Sequence, residues 1–228
     1  MTDDEIRAIL AERVNTVRSR IAAACGRVGR STEEVTLVAV TKTVSSRVAS
    51  FLPELGILDL GENRPQELWR KAEELKHLPI RWHMIGHLQR NKVERTLPLV
   101  HLTHAVDSLR LIKAIAAEGH RSRVLLQVNG SKEEQKHGFD FEELFAATAE
   151  IERASVEVQG LMTMAAYSDE PENARPTFAA LRQFRDRLRG ETGWRVDLLS
   201  MGMSGDFEVA IEEGATIVRV GNTLFEGL

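Results

Sequence analysis

Only one cysteine, Cys25, stands in 228 residues, which excludes an internal disulfide framework and fits a reducing compartment. Nowhere does the sequence run to the roughly 18 consecutive apolar residues that a spanning helix needs, so no membrane is expected as a partner. The opening Met1-Thr2-Asp3-Asp4-Glu5 is acidic with no apolar stretch behind it, so no secretory leader is expected. Cationic excess is also missing. Lys and Arg number 30 against 34 Asp and Glu, a net charge of −4, and nucleic acid is not an expected partner. Tyrosine occurs once, as Tyr167. No linker rich in Pro, Gly or Ser, no repeat and no low-complexity tract divides the chain. With 43% hydrophobic and 28% charged residues, the expectation is a soluble, cytoplasmic globular protein, one domain over residues 1–228.

What is there begins with a helical stripe. Ile6, Leu10, Val14, Val17, Ile21 and Ala24 recur at three- and four-residue spacing, which predicts an amphipathic helix over residues 3–25 that Gly26 and Gly29 stop. Alternation follows. Apolar runs at 35–42, 56–61, 80–85, 100–106, 123–128, 156–162, 195–199 and 216–220 predict eight short strands. Helical patterns come after all but the last, at 46–55, 64–76, 90–97, 108–118, 142–153, 172–189 and 207–213. This order predicts the α/β class, a single (β/α)8 TIM-like barrel rather than an open sheet. The chain stops at Leu228, too soon for a full eighth helix. Residues 1–28 are therefore predicted to pack on the barrel and cover the gap.

The first strand ends on Lys42, and Val38, Val40 and Lys42 share one face of it. An ammonium on an apolar face loses hydration, which lowers its pKa and frees an amine able to form a Schiff base with an aldehyde. The alternative is a lysine that snorkels to solvent from a strand end. In such barrels the chemistry sits where the strands end, with phosphate often held by the last two loops. Here those loops are Ser200-Met201-Gly202-Met203-Ser204-Gly205-Asp206 and Arg219-Val220-Gly221-Asn222-Thr223. Glycines let backbone amides close on an anion, and Ser200, Ser204 and Asn222 add donors. The alternative is a pair of glycine turns that close a barrel. Asp206 would repel an anion and is expected to face away, near a helix start.

Arg219 interrupts an apolar strand, so it needs either an ion pair, with Glu62 or Asp197 as candidates, or a ligand. Strands one and eight are neighbours in a closed barrel. An amine, an anion cup and an arginine at one mouth together describe a site for pyridoxal 5'-phosphate. His83 and His87 have metal-ligand spacing only on a helix; His83 is predicted on a strand and no third ligand is apparent, so no metal is expected. Met162, Met164, Met201 and Met203 are expected to pack the barrel, and Cys25 to be structural.

Seven motifs stand in order along nearly all of the chain after the first helix: Ala39-Val40-Thr41-Lys42, Gly61-Glu62-Asn63-Arg64, Trp82-His83-Met84-Ile85-Gly86-His87-Leu88-Gln89, Lys136-His137-Gly138-Phe139, Gly160-Leu161-Met162-Thr163-Met164, Leu199-Ser200-Met201-Gly202-Met203-Ser204 and Val218-Arg219-Val220-Gly221. In these the chain resembles the pyridoxal phosphate homeostasis family, the YggS-like proteins. The resemblance implies a barrel like the N-terminal domain of alanine racemase, of fold-type III. It implies that Lys42 holds the cofactor as an internal aldimine, that Asn63 lies beside the ring and that Arg219 faces the pyridine nitrogen. Ser200, Met201, Ser204, Gly221 and Asn222 would surround the phosphate, partly through backbone amides. The family pattern has a second lysine two positions after the first; here that place is Val44, whereas Lys136 is kept.

The implied role is intracellular homeostasis and delivery of pyridoxal phosphate, with apo enzymes that use it as partners and without established turnover. The residues point the same way. Arginine has no proton to give up, so a pyridine nitrogen facing Arg219 stays unprotonated and the ring is a weak electron sink. A two-base racemase related to this fold would take a tyrosine from a second domain, whereas Tyr167 lies in the polar segment 165–172. A monomer is expected. The alternatives are a weak pyridoxal-phosphate-dependent amino-acid racemase and a regulatory interaction protein with a vestigial cofactor site.

Overall fold

The computed structural model describes all residues except 120–121, 131–137 and 155; Lys136 and His137 of the fourth motif lie outside the described residues. Eight parallel strands close into a barrel in chain order: β1 (Thr36–Val40), β2 (Asp59–Glu62), β3 (Arg81–Met84), β4 (Leu102–Val106), β5 (Arg123–Gln127), β6 (Glu157–Met162), β7 (Leu198–Ser200) and β8 (Ile217–Val220). Closure sets β1 beside β8, with Val38 opposite Arg219. Around the barrel run α2 (Ser46–Ala49), α3 (Pro65–Glu74), α4 (Val93–Thr96), α5 (Leu109–Ala117), α6 (Phe141–Arg153), α7 (Arg175–Thr192), α8 (Phe207–Glu212) and α9 (Asn222–Phe225), preceded by α1 (Asp3–Arg27). This is the TIM-like (β/α)8 fold that the alternation predicts. None of the helices among the described residues is long and apolar enough to cross a membrane.

Element ends depart from the sequence pattern for local reasons. β1 stops at Val40, because the chain turns at Thr41, whose carbonyl accepts the N–H of Val44 at 3.1 Å. β2 starts late because Gly56, in the left-handed region at φ 73°, closes a turn over Pro53–Leu55. α7 begins at Arg175 with Pro176 in its first turn, whereas Pro171 opens only a short 3-10 turn. Pro fits such openings because the first N–H groups of a helix have no internal acceptor.

α1 is held at its start by a reciprocal cap: Thr2 Oγ1 accepts from the Glu5 N–H, and the Glu5 carboxylate accepts from the Thr2 N–H. Its stripe, Ile6, Leu10, Val14, Val17, Ile21 and Ala24, is buried and packs against α8 and α9. Arg20 pairs with Glu208 at 2.8 Å, and Arg13 donates to the Leu224 carbonyl at 3.1 Å. The helix thus lies against α8 and α9, the elements that come before and after β8 in the chain.

Between β2 and α3 the outward-facing side of the barrel holds a buried ion pair. Lys71 Nζ donates to Glu62 Oε1 at 2.6 Å and to the Thr41 carbonyl at 2.7 Å, and Thr41 Oγ1 donates to the same carboxylate oxygen at 2.6 Å. Glu62 and Lys71 are both almost fully enclosed. Their mutual neutralisation offsets a large desolvation cost, and removing one partner strands the other charge. Lys71→Met is expected to lower stability by about 3–5 kcal/mol, with partial recovery in the double variant carrying Glu62→Gln; urea unfolding measures both.

Candidate cofactor site

The strand C-termini open on a cavity of about 440 Å³. Lys42, Asn63, Ser204, Arg219, Gly221 and Asn222 line it together; Ser200 and Met201 do not. Lys42 sits two residues past β1, on the inward-facing series of Val38 and Val40. The apolar-face burial expected for it is not found: its side chain is exposed at the mouth, because the strand has already ended. Among the described residues no hydrogen bond or ion pair engages its amine. Asn63 follows β2 and is pressed from below by Gly86, where a Cβ would overlap the Asn63 carbonyl. Only glycine permits that approach of two loops.

Arg219 is 4% exposed. Nη1 donates to Ser200 Oγ at 2.6 Å and Nη2 to the Thr163 carbonyl at 3.1 Å. Neither candidate carboxylate reaches it: Glu62 is paired with Lys71, and Asp197 with Arg189 at 3.0 Å. Burial lowers the guanidinium pKa to about 10, opposed by the negative charge of Asp206. It remains cationic at neutral pH and can only donate.

The last two loops meet over the cavity. Ser204 Oγ accepts from the N–H groups of Gly221 and Thr223, at 3.2 and 3.4 Å, which leaves its own proton as a donor. Gly202, at φ 92°, brings the first loop down onto α8, where a Cβ would meet that of Ala210 at 2.6 Å. The expected role of Met201 near an anion is not supported by its surroundings. Its N–H is committed to the Ile217 carbonyl at 3.1 Å and its side chain lies in the outer core. Ser200 is buried behind Arg219 rather than on the cavity.

Asp206 lines the cavity, contrary to the expectation that it faces away. The cause is local: Oδ1 accepts the Met203 N–H at 2.6 Å and so satisfies the turn. Burial pushes its carboxyl above the usual range, against that hydrogen bond and the charge of Arg219.

The histidine pair separates. His83 is buried in the barrel, whereas His87 lies at the surface against Asp107 at 2.9 Å. Among the described residues no group of three or more ligating side chains is suited to a metal. Tyr167 stands on the rim, 93% exposed, its hydroxyl donating to Asp169 at 3.0 Å. Gln127 also lines the cavity; its position as the polar end of Val124-Leu125-Leu126-Gln127 is a signal the sequence offers. The donor set suits one kind of ligand: a primary amine for a carbonyl, a fixed cation for a ring acceptor, and hydroxyl and amide donors for an anion.

The alanine racemase N-terminal domain model matches residues 15–227. A pyridoxal phosphate homeostasis protein of Aquifex aeolicus is 44% identical over 221 residues, 94% of this chain and 96% of that protein. The chain belongs to the pyridoxal phosphate homeostasis protein family. The Escherichia coli K12 protein of the same name is 36% identical over 230 residues, covering 95% of each. Among solved structures, PipY of Synechococcus elongatus with pyridoxal phosphate bound superposes with a TM-score of 0.84 at 31% identity, over 95% of this chain and 99% of that one.

The close approach of Gly86 gives a test of how tightly the mouth is built. Gly86→Ala is expected to destabilise by about 1–3 kcal/mol through overpacking against Asn63. Gly190→Ala, in α7 with open space around it, should instead gain up to about 1 kcal/mol from helix propensity. Chemical unfolding of the two variants checks the contrast.

Proposed function

We propose that this chain binds pyridoxal 5'-phosphate at the C-terminal mouth of the barrel, residues 1–228 acting as one domain, and serves intracellular homeostasis and delivery of the cofactor without turning over amino acids. The observation that carries the reading is the convergence of Lys42 and Arg219, from adjacent strands, with Ser204 and Gly221 on one cavity. Pyridoxal phosphate, when bound, supplies an aldehyde that condenses with a primary amine with loss of water, a pyridine ring and a phosphate.

Lys42 is the amine, unengaged by other protein groups among the described residues and open to solvent, so attachment and release need no rearrangement of a buried core. Arg219 is the donor for the ring nitrogen. Because a guanidinium cannot surrender its proton at neutral pH, that nitrogen stays unprotonated and stabilises a substrate carbanion poorly. Ser204 and Asn222 would donate to the phosphate, Gly221 would hold the Ser204 hydroxyl in place through its N–H, and Asn63 would lie against the ring. Ser200 acts through Arg219, and Met201 by packing the loop.

Among the described residues, Tyr167 on the rim is the group in question as the second base of a racemase. The hydrogen bond from Tyr167 to Asp169 raises the phenol above its ordinary pKa, so deprotonation is disfavoured. The apo forms of enzymes that use the cofactor are the proposed recipients, the cytoplasm the proposed compartment, and a monomer the proposed working unit, since the barrel closes on its own eight strands and needs no partner strand.

Purified protein supplied with pyridoxal phosphate is expected to absorb in the visible, and borohydride is expected to fix the cofactor mass on the Lys42 peptide. Lys42→Ala should lose both. A folded protein that stays colourless refutes the reading; racemisation of alanine that disappears in Tyr167→Phe favours the enzyme.

A further inference from the structure

Behind Arg219 the barrel interior is not an apolar filling. A row of polar side chains runs from the cavity to the opposite, N-terminal end. Ser200 Oγ, which accepts from Arg219, lies 2.8 Å from His104 Nδ1. His104 Nε2 lies 2.8 Å from His83 Nδ1, and His83 Nε2 lies 2.9 Å from Asp59 Oδ1. Asp59 is gripped by both ends of the Arg81 guanidinium, at 2.8 and 2.5 Å. The row takes one side chain from each of β8, β7, β4, β3 and β2, and all five are buried. Arg81 is half exposed at the far end.

With both rings neutral, one arrangement of protons satisfies every contact. A guanidinium cannot accept, so Ser200 accepts from Arg219 and gives its own proton to His104 Nδ1. His104 then carries its proton on Nε2 and donates to His83 Nδ1. His83 in turn donates from Nε2 to the Asp59 carboxylate. Each bond points away from the cavity. The competing arrangement, a His83 imidazolium with His104 protonated on Nδ1, leaves the Ser200 proton without an acceptor in the row. It also adds a cation between two arginines. Burial holds the His104 imidazole well below its ordinary pKa, reinforced by the positive charge of Arg219. Burial pushes the Asp59 carboxyl up, but hydrogen bonds from Arg81 and His83 outweigh it and hold the group well below the carboxylate range.

We propose that Ser200, His104, His83 and Asp59 form a one-directional hydrogen-bond relay that fixes the Arg219 guanidinium, making Asp59 a remote positioning residue for cofactor binding. The arrangement solves a conflict at the mouth. A carboxylate bonded directly to Arg219 would orient it but would cancel the charge facing an anionic ligand. Neutral groups do the orienting instead, and the compensating charge sits at the other end of the barrel. The role in cofactor binding rests on the functional reading above; the proton arrangement does not.

Long-range nitrogen–proton correlation spectra of the histidine-labelled, cofactor-free protein at neutral pH read the rings directly. His83 and His104 are both expected neutral, with Nδ1 bare and Nε2 protonated. An imidazolium at His83, or a proton on Nδ1 of His104, overturns the relay. Ser200→Ala should shift His104 toward the other tautomer, and Ser200→Thr should restore the wild-type signals; no change in Ser200→Ala also overturns it.

Asp59→Asn keeps the shape and an acceptor oxygen but removes the charge. If it folds with the wild-type circular dichroism, its dissociation constant for pyridoxal phosphate is expected to rise about threefold to tenfold. An unchanged constant removes the remote role. Should Asp59→Asn fail to fold, His83→Gln carries the same measurement and the same two outcomes. Wild-type protein that never binds the cofactor defeats the functional reading, and with it the remote role, while the ring spectra test the relay separately.

Discussion

A guanidinium enclosed in a barrel with no carboxylate bonded to it must be satisfied by neutral acceptors, and much of the interior follows from that requirement. Ser200 and the Thr163 carbonyl meet Arg219 directly, and His104 meets Ser200. Each further polar group needs its own partner, because an unsatisfied donor or acceptor in this environment costs about 1–3 kcal/mol. The chain of partners ends only where Asp59 reaches Arg81 and solvent. Apolar packing inside the strands is correspondingly small, with Val38, Leu102, Ala105, Leu125, Met162 and Ile217 as its buried members. The larger apolar layer lies between strands and helices. Stability is thereby assigned to the outer layer and orientation to the inner one.

Lys42 is governed from the other side of the same sheet. Thr41 points outward, where Glu62 and Lys71 hold both its hydroxyl and its carbonyl. The backbone that presents the lysine is thus anchored by a buried ion pair, while the side chain remains exposed. Alternation along the strand makes this division possible: neighbours in sequence face opposite layers. An anchored backbone under an amine that no hydrogen bond engages among the described residues suits the proposed attachment and release of an aldehyde.

The fold is legible in the sequence because eight apolar runs and their helices are spaced too regularly for another architecture, and the α1 stripe is complete there. Strand ends are less so. Apolar character continues past Val40, but the hydrogen-bonding that decides where β1 stops belongs to Thr41 and Val44. Lys42, Asn63, Ser204, Gly221 and Asn222 line the mouth from positions after strands, and Arg219 lines it from within β8, as the strand pattern and the family motifs place them in sequence. Ser200 and Met201 look like part of the cup because they adjoin it in sequence; alternation puts Ser200 beneath Arg219 and Met201 in the outer core. The expectation that Asp206 avoids an anion neglects the Met203 N–H that it satisfies. His104 goes unnoticed, since one histidine in Leu102-Thr103-His104-Ala105-Val106 carries no signal until its partners on β3 and β7 are known.

Asp206 brings the two layers into one electrostatic argument. It is the negative group whose field Arg219 feels at the mouth, yet its carboxyl is raised by burial and committed through Oδ1 to a backbone amide. It therefore tempers the arginine without bonding to it. A stronger counter-ion would empty the cavity of positive potential; none at all would leave a buried cation compensated only from the far end of the barrel. Between those limits the mouth keeps a moderate attraction for an anion and an exposed amine beside it. On the proposed reading, tempered attraction with open access separates holding a cofactor from trapping it, and it would come from where the negative charges are kept rather than from how many there are.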